Sequence, residues 1–235
     1  MYRNKTLILF LLVGLCGLSA ENYKVGDYVA DFTDSLCTAS AEWTLYDYYG
    51  DLNGGDYSVI WLVFFNTTSR RCQLEAAYSQ TIQDMYEDQG LVTIGVGSGW
   101  SDTYECKDWA KNYGVTYPII NDDRANLKSL FADGTVPYHV IIDHNMRIRH
   151  VLDYFPADSL NSIIIPELLV ELEDSRHDIN GDGQINILDI ISLANIILYD
   201  NLNELGDINQ DGETNILDIM AIIINITTIN FLGLI

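Results

Sequence analysis

Residues 178–189 read Asp-Ile-Asn-Gly-Asp-Gly-Gln-Ile-Asn-Ile-Leu-Asp, and residues 207–218 read Asp-Ile-Asn-Gln-Asp-Gly-Glu-Thr-Asn-Ile-Leu-Asp. The two stretches differ only at their fourth, seventh and eighth positions. An internal repeat of this kind indicates two copies of one supersecondary unit, and such units bury their apolar faces by packing against each other. The repeat therefore predicts a separate C-terminal module.

The spacing of oxygen-bearing side chains in each copy is typical of a calcium-binding loop. Calcium takes about six to eight hard oxygen ligands, and a twelve-residue loop supplies them from positions 1, 3, 5, 7 and 12. Gly183 and Gly212 stand at position 6, where the chain must turn sharply. We therefore predict two calcium ions. The predicted ligands are Asp178, Asn180, Asp182, the Gln184 carbonyl and Asp189 in the first loop, and Asp207, Asn209, Asp211, the Glu213 carbonyl and Asp218 in the second.

A helix with one apolar stripe is predicted after each loop. Neither helix can bury its stripe alone, so the two copies are expected to form a small all-α module. Residues 178–235 contain nine acidic residues and no lysine or arginine, so folding of this module should depend on calcium. The stripes consist of Ile190, Leu193, Ala194 and Ile197 in the first copy and Ile219, Ile222, Ile223 and Ile226 in the second.

At these residues the chain resembles a type I dockerin, whose pattern is Asp-x-Asn-x-Asp-Gly-x-apolar-Asn-x-x-Asp followed by a helix. The resemblance covers roughly residues 176–230, with Thr214 in place of the usual aliphatic residue. It implies calcium binding through EF-hand-like loops and docking to a cohesin-like protein on a scaffold or cell surface. The positions that often carry Ser or Thr for cohesin contact are Ile187-Leu188 and Ile216-Leu217 here. Docking within the chain is therefore a second interpretation.

Upstream of the repeat, strands and helices are predicted to alternate. Residues 57–65 read Tyr-Ser-Val-Ile-Trp-Leu-Val-Phe-Phe, an almost continuous apolar run as expected of a buried parallel strand. Together the elements predict an α/β sheet with helices on both faces. The other predicted elements are a helix that ends at Gly90, a strand over 91–96, a helix over 103–113, a hairpin over 139–152 and a helix that starts near Pro156.

This order resembles the thioredoxin fold, in particular the secreted redoxins of the thiol peroxidase and thioredoxin-like reductase group. The resemblance implies an α/β thioredoxin-like fold. It also places Pro137 where the family has a cis-proline beside the catalytic sulfur. The residues that carry the resemblance are Gly26-Asp-Tyr-Val-Ala-Asp-Phe32, Phe64-Phe65, Gly90-Leu-Val-Thr-Ile-Gly-Val96, Thr135-Val136-Pro137 and Val140-Ile-Ile-Asp143.

The active loop of that family corresponds to Ser69-Arg-Arg-Cys72 in this chain. Reductases of the group carry Cys-x-x-Cys there, so Ser69 predicts that dithiol reduction is lost. Thiol peroxidases carry Thr-x-x-Cys or Ser-x-x-Cys, and their cysteine attacks peroxide as a thiolate to give a sulfenic acid. The resemblance implies Cys72 as the nucleophile and Cys106 as its resolving partner. The helix N-terminus, Arg70 and Arg71 are expected to lower the pKa of Cys72.

Three cysteines lie beyond the first twenty residues, namely Cys37, Cys72 and Cys106, so at least one of them is free or pairs with another molecule. A structural disulfide from Cys37 to Cys106 or to Cys72 is the alternative to a catalytic bridge between Cys72 and Cys106. Two hypotheses follow. The first is a peroxidase-like thiol oxidoreductase with an external thiol reductant, anchored through its dockerin. The second is a non-catalytic thioredoxin-fold binding domain whose main activity is dockerin-mediated docking. A monothiol that forms mixed disulfides is a third interpretation.

The first twenty residues and the net charge predict the cellular context. Residues 1–20 combine a basic start, an apolar run and a terminal Ala20, which is typical of a signal peptide, and the run is too short to span a bilayer. A net charge of −22 disfavours nucleic acid and anionic membranes as partners. We therefore expect a secreted or cell-surface-associated protein. Its predicted parts are a signal peptide (1–20), a thioredoxin-like domain (21–165), a linker (166–177) and a dockerin-like domain (178–235).

Overall fold

The computed structural model describes residues 22–37, 39–53, 57–131, 135–182, 184–199 and 206–232. The predicted signal peptide, residues 1–20, and Gly183 of the first loop lie outside these ranges. The chain comprises an N-terminal domain, which contains the sheet, and a C-terminal module, which contains the two repeated loops.

The N-terminal domain is built on a five-stranded mixed sheet. Strands β3, β4 and β5 run parallel, whereas β6 and β7 are antiparallel to their neighbours. The spatial order is β5-β4-β3-β6-β7, and β1 and β2 form a separate antiparallel ladder. The strands are β1 (Thr33–Ser35), β2 (Glu42–Thr44), β3 (Val59–Asn66), β4 (Leu91–Ser98), β5 (Ile119–Asn121), β6 (Tyr138–Ile142) and β7 (Ile148–Leu152).

Strand β3 occupies the middle of the sheet because its sequence is apolar on both faces. Every residue of the strand except the last, Asn66, is buried. Alternate side chains enter different cores, with Ile60 on one side of the sheet and Trp61 on the other. The predicted buried strand is confirmed. Its carboxyl end, from which the active loop leaves, lies between β4 and β6.

Helices pack on the two faces of the sheet, as predicted. Gly90 ends the helical segment that follows β3, with a φ of +102°. A Cβ atom at this position would lie 2.7 Å from Leu172 Cδ2, so both the backbone conformation and the close approach require glycine. The helices are α1 (Gly50–Asn53), α2 (Arg70–Tyr86), α3 (Cys106–Tyr113), α4 (Lys128–Phe131), α5 (Ala157–Ser159) and α6 (Ile165–His177), with 3₁₀ turns at Leu45–Tyr48 and Glu87–Gln89 and a π-helical turn at Leu160–Ile164.

The predicted linker over 166–177 is wrong, because these residues form helix α6. Leu168, Leu169 and Leu172 on this helix are buried in the same core as Trp61 of the central strand. The sequence carries the corresponding signal, since Ile165 and these three leucines recur at helical spacing along one face. Helix α6 therefore belongs to the core of the N-terminal domain and leads directly into the first loop.

The C-terminal module consists of the two loops and the helices α7 (Ile187–Leu198) and α8 (Ile216–Leu232). Its small core contains Leu193, Ile208 and Ile222, which confirms that the two copies pack together. Ile223 was predicted in the buried stripe, but it points outward and is 40% exposed. Within the described residues, no helix combines the length and apolar character needed to cross a membrane.

Truncation of Leu172 tests the assignment of α6 to the N-terminal core. Leu172→Ala should lower the free energy of unfolding by about 2–5 kcal/mol, because the side chain is fully buried. Val170→Ala on the same helix is the control. Val170 is 61% exposed, and such a surface change should cost about 0.5 kcal/mol or less. Urea unfolding followed by tryptophan fluorescence measures both. Equal effects of the two variants would contradict the assignment.

Candidate functional site

The loop after β3 places Cys72 in the first turn of α2. Ser69 precedes the helix in an extended conformation, and its Oγ accepts a hydrogen bond of 3.4 Å from the Cys72 N–H. The Asn66 side chain orders the same loop, because its Oδ1 accepts from the Thr68 N–H at 2.9 Å. Ser69 therefore acts as the N-cap of α2. The Ser-x-x-Cys spacing thus has a structural role whether or not the thiol reacts.

The Cys72 thiol lies inside the domain rather than on its surface. The residue is 3% exposed and packs in a cluster with Phe65 and Trp109. Beside it lies a cavity of about 10 Å³, which Cys72, Glu75 and Pro137 help to line. A cavity of this size holds at most about one water molecule. The peptide bond between Val136 and Pro137 is cis, which confirms the prediction for Pro137.

The expected lowering of the thiol pKa is wrong. Burial raises the pKa of Cys72, and the negative charge of Glu75 acts in the same direction. Hydrogen bonds from Ser69 and from the backbone oppose this shift without overcoming it. Arg70 and Arg71 are exposed and are not among the groups that shift the pKa of this thiol. The effect of burial on the pKa of Cys72 is therefore larger than the opposing effect of its position at the start of α2.

The pairing of Cys72 with Cys106 is also wrong in this structure. Cys106 forms a disulfide with Cys37, with the two Cα atoms 5.9 Å apart, and Cys72 is a free thiol. Cys37 lies in the connection between β1 and β2, and its N–H donates to the carbonyl of Ile119 on β5, an edge strand of the sheet. This contact holds Cys37 near the start of α3, where Cys106 lies. The structural alternative left open by the sequence is the one observed.

Sequence reasoning missed a polar pair next to the thiol, which consists of a partly buried glutamate and a buried histidine. Glu75 lies three residues after Cys72 on α2, and its Oε2 is 3.5 Å from Nε2 of His139 on β6. The His139 side chain is fully buried. Within the described part of the chain, neither of its ring nitrogens has a hydrogen-bond partner, and neither does Glu75 Oε2. The spacing from Cys72 to Glu75 is the signal that could have found this pair, since residues three apart share a helix face.

The two loops of the C-terminal module have nearly the same internal geometry. In the first loop, Asp182 N–H donates to Asp178 Oδ1 at 3.1 Å, and Asn186 N–H donates to Asp189 Oδ2 at 2.7 Å. The second loop has the same bonds at the same distances, from Asp211 to Asp207 and from Asn215 to Asp218. The repeat in sequence is therefore also a repeat in structure. Gly212 has a φ of +87°, which confirms the sharp turn predicted at position 6 of the second loop.

The residues of both loops fit a calcium ion by their chemistry. Asp189 and Asp218 close the loops and are fully buried, in a segment without lysine or arginine. A buried carboxylate needs a compensating partner, and backbone N–H groups supply only part of one. The other donors are carboxylate, amide and carbonyl oxygens, which calcium prefers. Within the described residues, no three His, Cys, Asp or Glu side chains are gathered closely enough to hold a metal ion. Coordination would therefore draw on the amide and carbonyl oxygens as well.

Two protein-family models match this chain. The AhpC/TSA family model matches residues 25–151. The chain belongs to the AhpC/TSA family. The type I dockerin domain matches residues 176–227, so a dockerin follows the AhpC/TSA domain, as predicted from the repeated loops. Type I dockerins bind calcium and dock to cohesin partners.

Curated relatives of this AhpC/TSA protein include the thiol-disulfide oxidoreductases ResA of Geobacillus thermodenitrificans and Geobacillus kaustophilus. Each is 22% identical over 159 residues, which cover 65% of this chain and 90% of the relative. The matched residues thus amount to nearly the whole of each relative, whereas about a third of this chain lies outside the match.

Solved structures of similar shape include a thiol:disulfide interchange protein of the thioredoxin family from Chlorobium tepidum, with a TM-score of 0.51 and 14% identity. The match covers 64% of this chain and 99% of that protein. Another is a thiol:disulfide interchange protein from Bacteroides, with a TM-score of 0.50 and 16% identity over 62% and 90% of the two chains. At these identities the likeness concerns the fold. The predicted thioredoxin-like α/β fold is confirmed.

Alkylation of Cys72 tests the effect of burial on its pKa. Native Cys72 should react slowly with iodoacetamide at neutral pH, because each unit by which the pKa rises lowers the thiolate fraction about tenfold. Ser69→Ala should slow the reaction further, since the hydrogen bond from Ser69 lowers the pKa. Ser69→Thr, which keeps the hydroxyl group, is the control. Rates over a pH series, read by mass spectrometry, measure the effect. A native rate at pH 7 equal to that of the unfolded protein would contradict it.

Proposed function

We propose that this chain is an exported docking protein that carries a thioredoxin-fold domain to a cohesin-like partner through a calcium-loaded dockerin. The observation that carries the proposal is the pair of loops with matching hydrogen bonds, each closed by a fully buried aspartate. Two calcium ions, one in each loop, would compensate these carboxylates. The disulfide from Cys37 to Cys106 suits an oxidising compartment and supports export, in agreement with the predicted signal peptide.

The outer surface of the dockerin supports a partner with an apolar binding face. Ile187 and Leu188 at the start of α7 are 61% and 50% exposed, and Ile216 and Leu217 at the start of α8 are 65% and 53% exposed. Aliphatic pairs in these places cannot donate the hydrogen bonds that Ser or Thr would provide. We therefore infer that the cohesin-like partner recognises this dockerin mainly through apolar contacts.

The cysteines of the N-terminal domain favour a binding or structural role. Dithiol exchange needs two thiols in the active loop, and this loop offers Cys72 alone. Cys106 is held by Cys37, and Cys72 is buried with a raised pKa. The domain thus has no pair of free cysteines with which to cycle within the described residues.

A single-cysteine oxidoreductase at Cys72 is the second candidate function. It is favoured by the hydrogen bond at Ser69 and by cis-Pro137, which lines the same small cavity as the thiol. The Cys72 thiolate would attack one oxygen of hydrogen peroxide, breaking the O–O bond, oxidising the sulfur to a sulfenic acid and releasing hydroxide. Because Cys106 is bridged, an external thiol would have to reduce the sulfenic acid.

Docking is tested by measuring binding of the full chain to a panel of purified cohesins, with calcium and with EGTA. Binding should require calcium. The double variant Asp189→Asn, Asp218→Asn should weaken it by more than about tenfold, because both closing carboxylates are lost. A control of equal charge change is Asp102→Asn, Asp158→Asn, at exposed positions of the N-terminal domain. Calcium-independent binding, or equal losses in both double variants, would contradict the proposal.

Peroxide chemistry is tested with a sulfenic-acid probe on the intact protein. If Cys72 is a peroxidatic cysteine, millimolar hydrogen peroxide should give a probe adduct on the peptide that contains Cys72. Cys72→Ser should abolish the adduct and leave calcium-dependent docking unchanged. Peptide mapping by mass spectrometry identifies the site. Absence of the adduct in a folded, docking-competent sample would rule out the second candidate and leave the docking function standing.

A further inference from the structure

Helix α6 has two neighbours, the sheet on one side and the C-terminal module on the other. Leu168 and Leu172 enter the core beneath the sheet. A second stripe on the helix, at the helical spacing of Pro166, Val170, Glu173 and His177, lines a cleft of about 520 Å³. The opposite side of this cleft belongs to the C-terminal module and includes Ile208, Asn209, Gln210 and Ala221. The end of α6 thus faces the second calcium loop.

Polar contacts at the end of α6 join the two parts of the chain. The Arg176 guanidinium donates to the carbonyl of Tyr57, just before the central strand, at 3.1 Å, and lies 3.4 Å from Glu173. In the orientation that satisfies both groups, the Gln210 amide oxygen accepts from the same guanidinium at 3.1 to 3.2 Å. Arg176 therefore bridges the start of β3 and the second loop. A further contact brings Asn225 Nδ2 to 3.5 Å from His177 Nδ1.

Gln210 adopts a backbone conformation that is unfavourable for a residue with a side chain, which indicates that its side chain makes a stabilising contact. Gln210 has a φ of +59° at position 4 of the second loop, whereas the first loop has Gly181 with a φ of +70° at the equivalent position. Glycine adopts this left-handed conformation without strain, and glutamine does not. The strain at Gln210 is offset by its contact with Arg176, which is the last lysine or arginine in the chain. The first loop makes no equivalent contact, because Gly181 has no side chain.

We propose that helix α6 is an intramolecular interaction partner of the second calcium loop, so that calcium bound there stabilises the N-terminal domain. Gln210 lies between Asn209 and Asp211, both predicted ligands, so the ion that holds these residues also fixes the position of the Gln210 side chain against Arg176. By linkage, whatever calcium contributes to this contact is returned as tighter calcium binding in the second loop than that loop would show without the contact. The inference rests on the calcium binding proposed above.

This internal contact leaves the surface proposed for the external partner free. Ala221 and Asn225, one turn apart, form the side of α8 that faces α6. Ile216 and Met220 lie on a different side of the same helix and stay exposed, and Leu217 is exposed as well. Binding of α6 and binding of a cohesin-like partner are therefore compatible. The partner would bind a dockerin whose orientation relative to the N-terminal domain is fixed by α6.

The four tryptophans of the chain allow a direct test, because all of them lie at or before position 109, in the N-terminal domain. Thermal unfolding followed by tryptophan fluorescence therefore reports this domain alone. In the full chain, calcium should raise the fluorescence midpoint above its value in EGTA by about 2–4 °C. Gln210→Gly copies the residue of the first loop, and should bind calcium while losing most of this rise. Arg176→Gln should lose it as well, with the loop sequence unchanged. Asn195→Ala, at an exposed position of α7 in the first copy, is the control and should keep the full rise.

Calcium binding is measured in parallel by titration calorimetry, which distinguishes failure of the docking function from failure of the contact between α6 and the second loop. If the wild-type chain takes up no calcium, the proposed docking function fails and this inference fails with it. If calcium binds but the tryptophan midpoint does not move, the inference alone is overturned. It is equally overturned if Gln210→Gly and Arg176→Gln both keep the wild-type rise.

Discussion

The arrangement of this chain depends on helix α6, because this one short helix packs against both the sheet and the C-terminal module. Its leucines complete the core beneath the central strand, so the sheet fixes the position and rotation of the helix. Its last turn then presents Arg176 to Tyr57 on one side and to Gln210 on the other. The first calcium loop starts at the residue after the helix ends. The position of the C-terminal module is therefore set by the packing of a helix that belongs to the other domain.

The environment of Cys72 combines features that act on the thiol pKa in opposite directions. A helix N-terminus favours the thiolate, but only if the sulfur is accessible and the surrounding dielectric is high enough to support the charge. Here the thiol is enclosed by Phe65 and Trp109, and a nearby glutamate opposes a second negative charge. The disulfide between Cys37 and Cys106 lies in the same cluster and contributes to enclosing it. The loop, the cis-proline and the N-cap of α2 are all present, and burial is the largest influence on the thiol pKa, which it raises.

Local patterns in the sequence predicted much of this structure. The buried strand β3, the hairpin of β6 and β7, and the two loops with their helices all follow from residues close together in the chain, so periodicity and turn residues were enough. The cis conformation at Pro137 was predicted from the resemblance to a family. Helix α6 was not predicted, although Ile165, Leu168, Leu169 and Leu172 recur at helical spacing. The partner of Cys37 and the pKa of Cys72 depend on tertiary contacts that spacing cannot specify, and the pairing of Glu75 with His139 joins a helix to a distant strand.

The disulfide between Cys37 and Cys106 closes a covalent loop within the N-terminal domain. The segment that it closes contains β3, α2 and β4, which are the central strand, the helix that carries Cys72 and the neighbouring parallel strand. A protease that cuts the backbone once within this segment would not divide the molecule, because the two pieces remain joined through sulfur. The part of the chain that forms the middle of the sheet is therefore also the part that a single cut cannot release.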